Sequence, residues 1–116
     1  MIRHSITALL FTTLPTLAAE PVIENVSAQQ SGDGTWRFDV TISHPDTGWD
    51  HYADGWRVLD MDGSELGMRV LYHPHVEEQP FTRSLSGVRI PESTKQVQIQ
   101  ARDLPAGWNQ ETMVVT

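Results

Sequence analysis

Residues 36–43, Trp-Arg-Phe-Asp-Val-Thr-Ile-Ser, alternate strictly between apolar and polar side chains. Successive side chains of a β-strand point to opposite faces of the sheet, so this period of two predicts a strand with one buried face. The residues expected to face the core together are Trp36, Phe38, Val40 and Ile42, with Trp56 opposite them.

The segments that follow and precede this strand repeat the same strand-and-turn pattern, and none shows a helical period. The other predicted strands are residues 22–29, 56–61, 66–70, 81–90, 97–101 and 112–115. Turn-forming residues separate several of them, as in the Ser-Gly-Asp-Gly sequence of residues 31–34. Seven short strands predict an all-β sandwich of antiparallel strands, in which residues 20–116 form a single domain.

The order and spacing of these strands resemble an immunoglobulin-like or fibronectin type III-like domain, and the resemblance covers residues 20–116. Trp56 matches the large aromatic residue found on the third strand of such domains. Three blocks resemble a narrower group of small secreted bacterial proteins that are uncharacterised, and this resemblance implies no activity. The blocks are residues 48–54 (Gly-Trp-Asp-His-Tyr-Ala-Asp), 73–75 (His-Pro-His) and 78–84 (Glu-Gln-Pro-Phe-Thr-Arg-Ser).

Residues 1–19 have the pattern of a cleavable secretory signal peptide. A basic start at Arg3 and His4 precedes an uncharged, mostly apolar run at residues 5–17, and residues 18 and 19 are alanines. The run is shorter than the roughly 20 residues that cross a bilayer. We therefore expect cleavage after residue 19, no membrane insertion of the remainder, and a periplasmic or secreted protein.

The chain is acidic and contains no cysteine. Its 8 Lys and Arg residues against 15 Asp and Glu residues give a formal net charge of −7, which becomes −8 when Arg3 is removed. Phosphate backbones repel an acidic domain, so we expect no nucleic-acid partner. The absence of cysteine excludes disulfides, thiol catalysis and iron–sulfur clusters.

The connections between antiparallel strands alternate between the two ends of a domain. One end receives short turns, and the other receives residues 44–55, 72–81 and 103–110, which we call the loop end. Long loops at one end of a rigid sandwich commonly carry binding sites. We therefore predict a non-enzymatic binding module whose partner is another exported protein or an envelope component. The candidate binding residues are Trp49, Asp50, His51, Tyr52, Tyr72, Phe81, Arg83 and Trp108.

A second hypothesis is a periplasmic protein that binds a divalent metal. His73 and His75 point the same way if residues 73–75 are extended, and imidazole with carboxylate suits Zn²⁺ or Cu²⁺. His51 and Glu78 are candidates to complete the ligand set. The simpler interpretation is that these are solvent-exposed loop histidines, and in that case we expect no cofactor.

A small hydrolase is the third hypothesis. His51 with Asp50 or Asp54 would act as the base, and Ser84 or Ser86 as the nucleophile. The sequence contains no nucleophile elbow, no phosphate-binding glycine loop and no zinc-protease motif. We therefore expect that the protein is not an enzyme.

Overall fold

The computed structural model describes residues 20–116, so the predicted signal peptide at residues 1–19 lies outside the described residues. These residues form strands and turns, and they contain no helix long and apolar enough to cross a membrane. The strands are β1 (Val22–Gln30), β2 (Trp36–Ser43), β3 (Tyr52–Asp60), β4 (Glu65–Val70), β5 (Phe81–Val88), β6 (Val97–Leu104), β7 (Gly107–Trp108) and β8 (Met113–Val115).

The strands form two antiparallel sheets. One has the order β1-β2-β5, and the other has the order β4-β3-β6-β7, with β8 also paired to β6. The all-β prediction is therefore confirmed for residues 20–116, which contain one short strand more than the seven predicted. The immunoglobulin-like or fibronectin type III-like subtype stays a prediction.

One hydrophobic core receives side chains from both sheets. Phe38, Val40 and Ile42 of β2 are buried in it, as the alternation predicts, and Trp56 of β3 is fully buried on the other sheet. Trp36 packs against the same core but is only partly buried. The pairing of β2 with β5 shifts register between Trp36 and Phe38, which interrupts the regular alternation at that point.

Two strands extend further into the predicted loops than the apolar pattern indicates. β3 begins at Tyr52 rather than near Trp56, and β6 continues to Leu104, because Tyr52 pairs with Leu104 across the two strands. A register shift between Ala53 and Gly55 accompanies this extension. Parts of residues 44–55 and 103–110 are consequently strand rather than loop.

The segments of the loop end meet in space. Asp46 accepts a hydrogen bond from the backbone N–H of His75 at 2.7 Å, and the ring of Trp49 lies 6.1 Å from that of His73. The ring of His44 lies 4.6 Å from that of His51. His44, His51, His73 and His75 therefore lie at the same end of the domain.

Candidate functional site

Two histidines and one aspartate converge at the loop end. The Nε2 atoms of His44 and His51 each lie 3.2 Å from Oδ2 of Asp103. One nitrogen of each ring and one carboxylate oxygen all lie within 4.8 Å of one another, in a group that we call the His44–His51–Asp103 cluster. Nitrogen and carboxylate donors at this spacing are the ligand types of divalent transition metals.

His44 and Asp103 reach this position by continuing inward-facing rows of side chains. His44 follows Phe38, Val40 and Ile42 at the next inward place of β2, just beyond its last residue. Asp103 occupies the corresponding place in β6, whose buried positions also alternate. The two sheets therefore bring one imidazole and one carboxylate together at the end of the core, where both side chains are buried.

His51 is held by a tight turn. The N–H of His51 donates to the carbonyl of Gly48 at 3.2 Å, and the N–H of Thr47 donates to the carbonyl of His51 at 3.0 Å. Gly48 has a φ of 152°, at the edge of the region that favours glycine. The turn directs the His51 ring edge-on toward His44, and 20% of its side chain stays exposed.

Asp46 contacts the His44 ring on the side away from Asp103 and holds its orientation. Its Oδ1 lies 2.5 Å from His44 Nδ1 and also accepts the N–H of Ala53 at 2.9 Å. Its Oδ2 accepts the N–H of His75. Metal-binding histidines characteristically donate their second ring N–H to a carboxylate in this way, which fixes the tautomer and orients the other nitrogen.

The hydrogen bonding of the cluster is incomplete. His51 Nε2 and Asp103 Oδ1 are buried and have no hydrogen-bond partner within residues 20–116. His44 faces carboxylates on both sides, and its ring donates to one of them as a neutral imidazole or to both as an imidazolium. Buried polar groups without partners are rare and costly, so His51 Nε2 and Asp103 Oδ1 are two atoms that a bound ligand would satisfy.

A metal ion would satisfy these atoms together. With His44 Nδ1–H donated to Asp46, the lone pair of Nε2 faces the same space as His51 Nε2 and Asp103. Neighbouring donors of a tetrahedral Zn²⁺ site lie about 3.3 Å apart, given bonds of about 2.0–2.1 Å. The two distances of 3.2 Å in the cluster match this spacing.

His75 lies next to the His44–His51–Asp103 cluster but is not a member of it. Its ring stacks on Phe81 with centroids 4.0 Å apart, and its Nε2 lies 2.9 Å from Arg83 Nη2. A guanidinium only donates, so this nitrogen accepts and the ring is neutral. Burial lowers the pKa of His75, and the charge of Arg83 lowers it further.

Several residues predicted from the sequence lie apart from the cluster. Glu78 is exposed and pairs with Arg83 at 3.0 Å, and Phe81 is buried in the core. Trp108 contacts the guanidinium groups of Arg57 and Arg102, at 3.8 and 5.0 Å from its ring centroid.

The proposed hydrolytic serines make no contact with His51 among the hydrogen bonds of residues 20–116. Ser84 Oγ donates to Asp39 instead, in the middle of β5.

Aromatic side chains lie exposed beside the turn that carries His51. Trp49 is 64% exposed, and its ring lies 5.7 Å from Tyr52 and 6.1 Å from His73, edge to face in both cases. Tyr72 is 67% exposed. The structure thus brings Trp49, Tyr52 and His73 together, and it leaves Tyr72 and Asp50 exposed at the loop end.

No family model matches this chain, and no solved structure matches it. A protein of Halomicrobium mukohataei named "Putative lipoprotein" is 38% identical to it over 96 residues. The match covers 83% of this chain and 47% of that protein, so the chain spans about half the length of the curated relative it matches.

Proposed function

We propose that this chain is an exported, envelope-associated protein that binds one divalent transition-metal ion through His44, His51 and Asp103. The observation that carries the proposal is the convergence of His44 Nε2 and His51 Nε2 on Asp103 Oδ2, at 3.2 Å each, with His51 Nε2 buried and without a hydrogen-bond partner within residues 20–116. Asp46 also supports the proposal. When His44 Nδ1–H donates to Asp46, the lone pair of Nε2 is available to bind an ion.

The donor set favours Zn²⁺ or Cu²⁺. Two imidazole nitrogens and one carboxylate suit both ions, and Cu²⁺ generally binds such sites more tightly. This ligand set differs from the one expected from residues 73–75, because His73 and Glu78 are exposed and Nε2 of His75 accepts from Arg83.

The test is a competition titration of the metal-free protein with Zn²⁺ and a chromophoric chelator. Wild type should bind one equivalent, and His51→Ala should weaken binding at least about 100-fold, because it removes a ligand rather than a supporting residue. His73→Ala is the matched control, since it removes an exposed histidine of the same end. Equal affinities for wild type and His51→Ala, or a loss confined to His73→Ala, would contradict the proposal.

Export is proposed on two grounds. Residues 1–19 have the pattern of a signal peptide, and the relative from Halomicrobium mukohataei is named a lipoprotein. N-terminal sequencing of protein recovered from the exported fraction tests cleavage, and retention of Met1 there would contradict it. The proposed role is binding without catalysis.

A second candidate function is binding to another exported protein or to an envelope component. The exposure of Trp49 and Tyr72, at 64% and 67%, favours it, because large exposed aromatic side chains are enriched in binding surfaces. A Trp49→Ala, Tyr72→Ala double variant should then be released from the envelope fraction that retains wild type. Equal retention of the two proteins would remove this candidate.

The fold subtype is also proposed. A three-stranded sheet β1-β2-β5 facing a sheet that contains β4-β3-β6 supports a fibronectin type III-like arrangement. In constant-type immunoglobulin domains the fourth strand joins the first sheet, whereas β4 here pairs with β3.

A further inference from the structure

The donor atoms of the His44–His51–Asp103 cluster are enclosed by the protein. The side chains of His44 and Asp103 are 0% and 1% exposed. The side chain of His51 is 20% exposed, but its Nε2 atom is buried. An ion held between these atoms would therefore lie inside the domain, where a donor from outside the chain cannot reach it while the loop end is closed.

The cluster also contains enough donor atoms to complete a coordination sphere. Nε2 of His44 and Nε2 of His51 converge on Oδ2 of Asp103. The other oxygen of the same carboxylate, Oδ1, is buried without a partner within residues 20–116. One carboxylate can bind an ion through both of its oxygens. Two nitrogens and two oxygens from the protein make the closed, four-coordinate set of a structural zinc site, whereas a catalytic site keeps one position for water or substrate.

The three ligands belong to segments that differ in how firmly they are held. Asp103 lies within β6, and His44 directly follows β2, so the two sheets fix both residues. His51 belongs to the turn of residues 47–51, which is closed by backbone hydrogen bonds of 3.0 and 3.2 Å. Exposed turns with few buried contacts open locally at a lower free energy than the strands of a core. This turn is therefore the segment whose opening would admit or release an ion.

The same turn carries the exposed side chain of Trp49. Its ring lies 5.7 Å from that of Tyr52 and 6.1 Å from that of His73, edge to face in both cases, and we call these residues the Trp49–Tyr52–His73 group. Trp49 lies in the turn just before His51, so an ion that holds the His51 ring also restricts the backbone that carries Trp49. The order of this aromatic group therefore depends on whether the turn is closed.

Resting on the proposed metal site, we propose that the ion is a structural one that holds the turn of residues 47–51 closed. It binds and leaves only when this turn opens, and no donor from outside the chain joins its coordination sphere. Metal occupancy thereby regulates the Trp49–Tyr52–His73 group, which is fixed when the ion is bound and more mobile when it is removed.

Amide hydrogen exchange of the protein with and without Zn²⁺ tests the effect on the turn. At free Zn²⁺ about 100 times the dissociation constant, exchange of the Thr47 and His51 amides should slow about 100-fold, because both exchange through the open, metal-free turn. The Thr94 amide, which donates to the carbonyl of Pro91 at the opposite end of the domain, is the control and should change less than about twofold. The NMR order parameter of the Trp49 indole N–H should rise when Zn²⁺ binds.

Release of Co²⁺ to EDTA tests whether the site is closed. Because opening of the turn limits release, the rate should not depend on the EDTA concentration. Gly48→Ala should speed release at least about fivefold, since a φ of 152° disfavours a side chain there. Gly63→Ala is the matched control, because it introduces backbone strain at a φ of 89° in the β3–β4 turn and should leave the rate unchanged. Excess imidazole or azide should leave the visible spectrum of the Co²⁺ protein unchanged.

The outcomes that contradict this inference are distinct from those that contradict the metal proposal. A release rate proportional to the EDTA concentration, or a saturable spectral change with imidazole, would show a site open to outside donors. Binding of Zn²⁺ without slower exchange at Thr47 and His51, with equal slowing at Thr94, or with an unchanged Trp49 order parameter would show that the ion does not act through the turn. Equal release rates for Gly48→Ala and wild type would show the same. Each of these results leaves the metal proposal intact, whereas failure of both Zn²⁺ and Co²⁺ to bind overturns the two together.

Discussion

His51 Nε2 lies 3.2 Å from Asp103 Oδ2, yet the two atoms form no hydrogen bond, and Asp103 Oδ1 has no partner within residues 20–116 either. Two complementary groups buried side by side normally pair, because an unsatisfied buried polar group costs about 1–3 kcal/mol. Their arrangement suits two ligands of the proposed metal ion.

Replacing Asp103 with Asn tests the contribution of the anionic ligand. Asn keeps the shape of the side chain but removes the charge, so Zn²⁺ affinity should fall at least about 100-fold. Competition titration measures the change. Asp50→Asn removes an exposed charge from the same end and should have little effect, since screened surface charges contribute little. Similar affinities for Asp103→Asn and wild type would show that this carboxylate is not a ligand.

Replacing Asp46 with Asn tests the supporting role of this carboxylate. Metal affinity should fall about 10- to 100-fold, because the ring of His44 loses its orienting partner. The metal-free protein should lose about 1–3 kcal/mol of unfolding free energy, because the buried contacts of Asp46 with His44, Ala53 and His75 cannot all be kept. Faster hydrogen exchange of the Ala53 and His75 amides would locate the effect, and unchanged exchange would contradict it.

Two of the three cluster residues follow from patterns that are visible in the sequence. His44 continues the row of Phe38, Val40 and Ile42 by the same step of two, and Asp103 continues the buried row of β6. A polar residue at the next inward position of such a row indicates a buried polar site. The prediction instead assigned both residues to loops, at residues 44–55 and 103–110.

The third member, His51, and the supporting Asp46 depend on turn geometry and on contacts between loops. Asp46 reaches His75 across 29 positions of the chain, and the turn at Gly48 determines where the His51 ring points. No local period encodes these contacts, because they arise when separate loops pack against each other. The histidines at residues 73–75 make different contacts, since the ring of His73 lies 6.1 Å from that of Trp49 and Nε2 of His75 lies 2.9 Å from Arg83.

Because Phe38 lies in the core, truncating its side chain should greatly reduce the free energy of unfolding. Its side chain is 1% exposed, so Phe38→Ala should reduce the free energy of unfolding by about 3–5 kcal/mol. Val114→Ala, at a position that is 49% exposed, should change it by less than about 0.5 kcal/mol. Urea denaturation measures both, and equal midpoints for the two variants would contradict the assignment of the buried face.

The environment of His75 predicts a pH dependence of stability. Burial and the charge of Arg83 lower its pKa in the folded protein, so the unfolded chain takes up a proton first as the pH falls. Stability should therefore decrease as the pH drops below about 6.5 and stop decreasing below the folded pKa. Asp39, whose pKa is lowered by hydrogen bonds from Ser84 and Arg37, affects stability only at more acidic pH.

Urea denaturation in EDTA at a series of pH values measures this dependence. His75→Gln removes the titrating group, so this variant should lose less stability than wild type across the same range. Parallel pH profiles for the two proteins would show that the proton uptake occurs elsewhere.

X-ray absorption at the zinc edge of the loaded protein tests the central claim most directly, because it counts the imidazole ligands. Two imidazoles and additional oxygen or nitrogen donors at about 2.0–2.1 Å are the predicted result. His51→Ala should reduce the count by one, and His73→Ala should leave it at two. A zinc shell without imidazole, or one that loses an imidazole when His73 is replaced, would contradict the assignment of His44, His51 and Asp103 as the ligands.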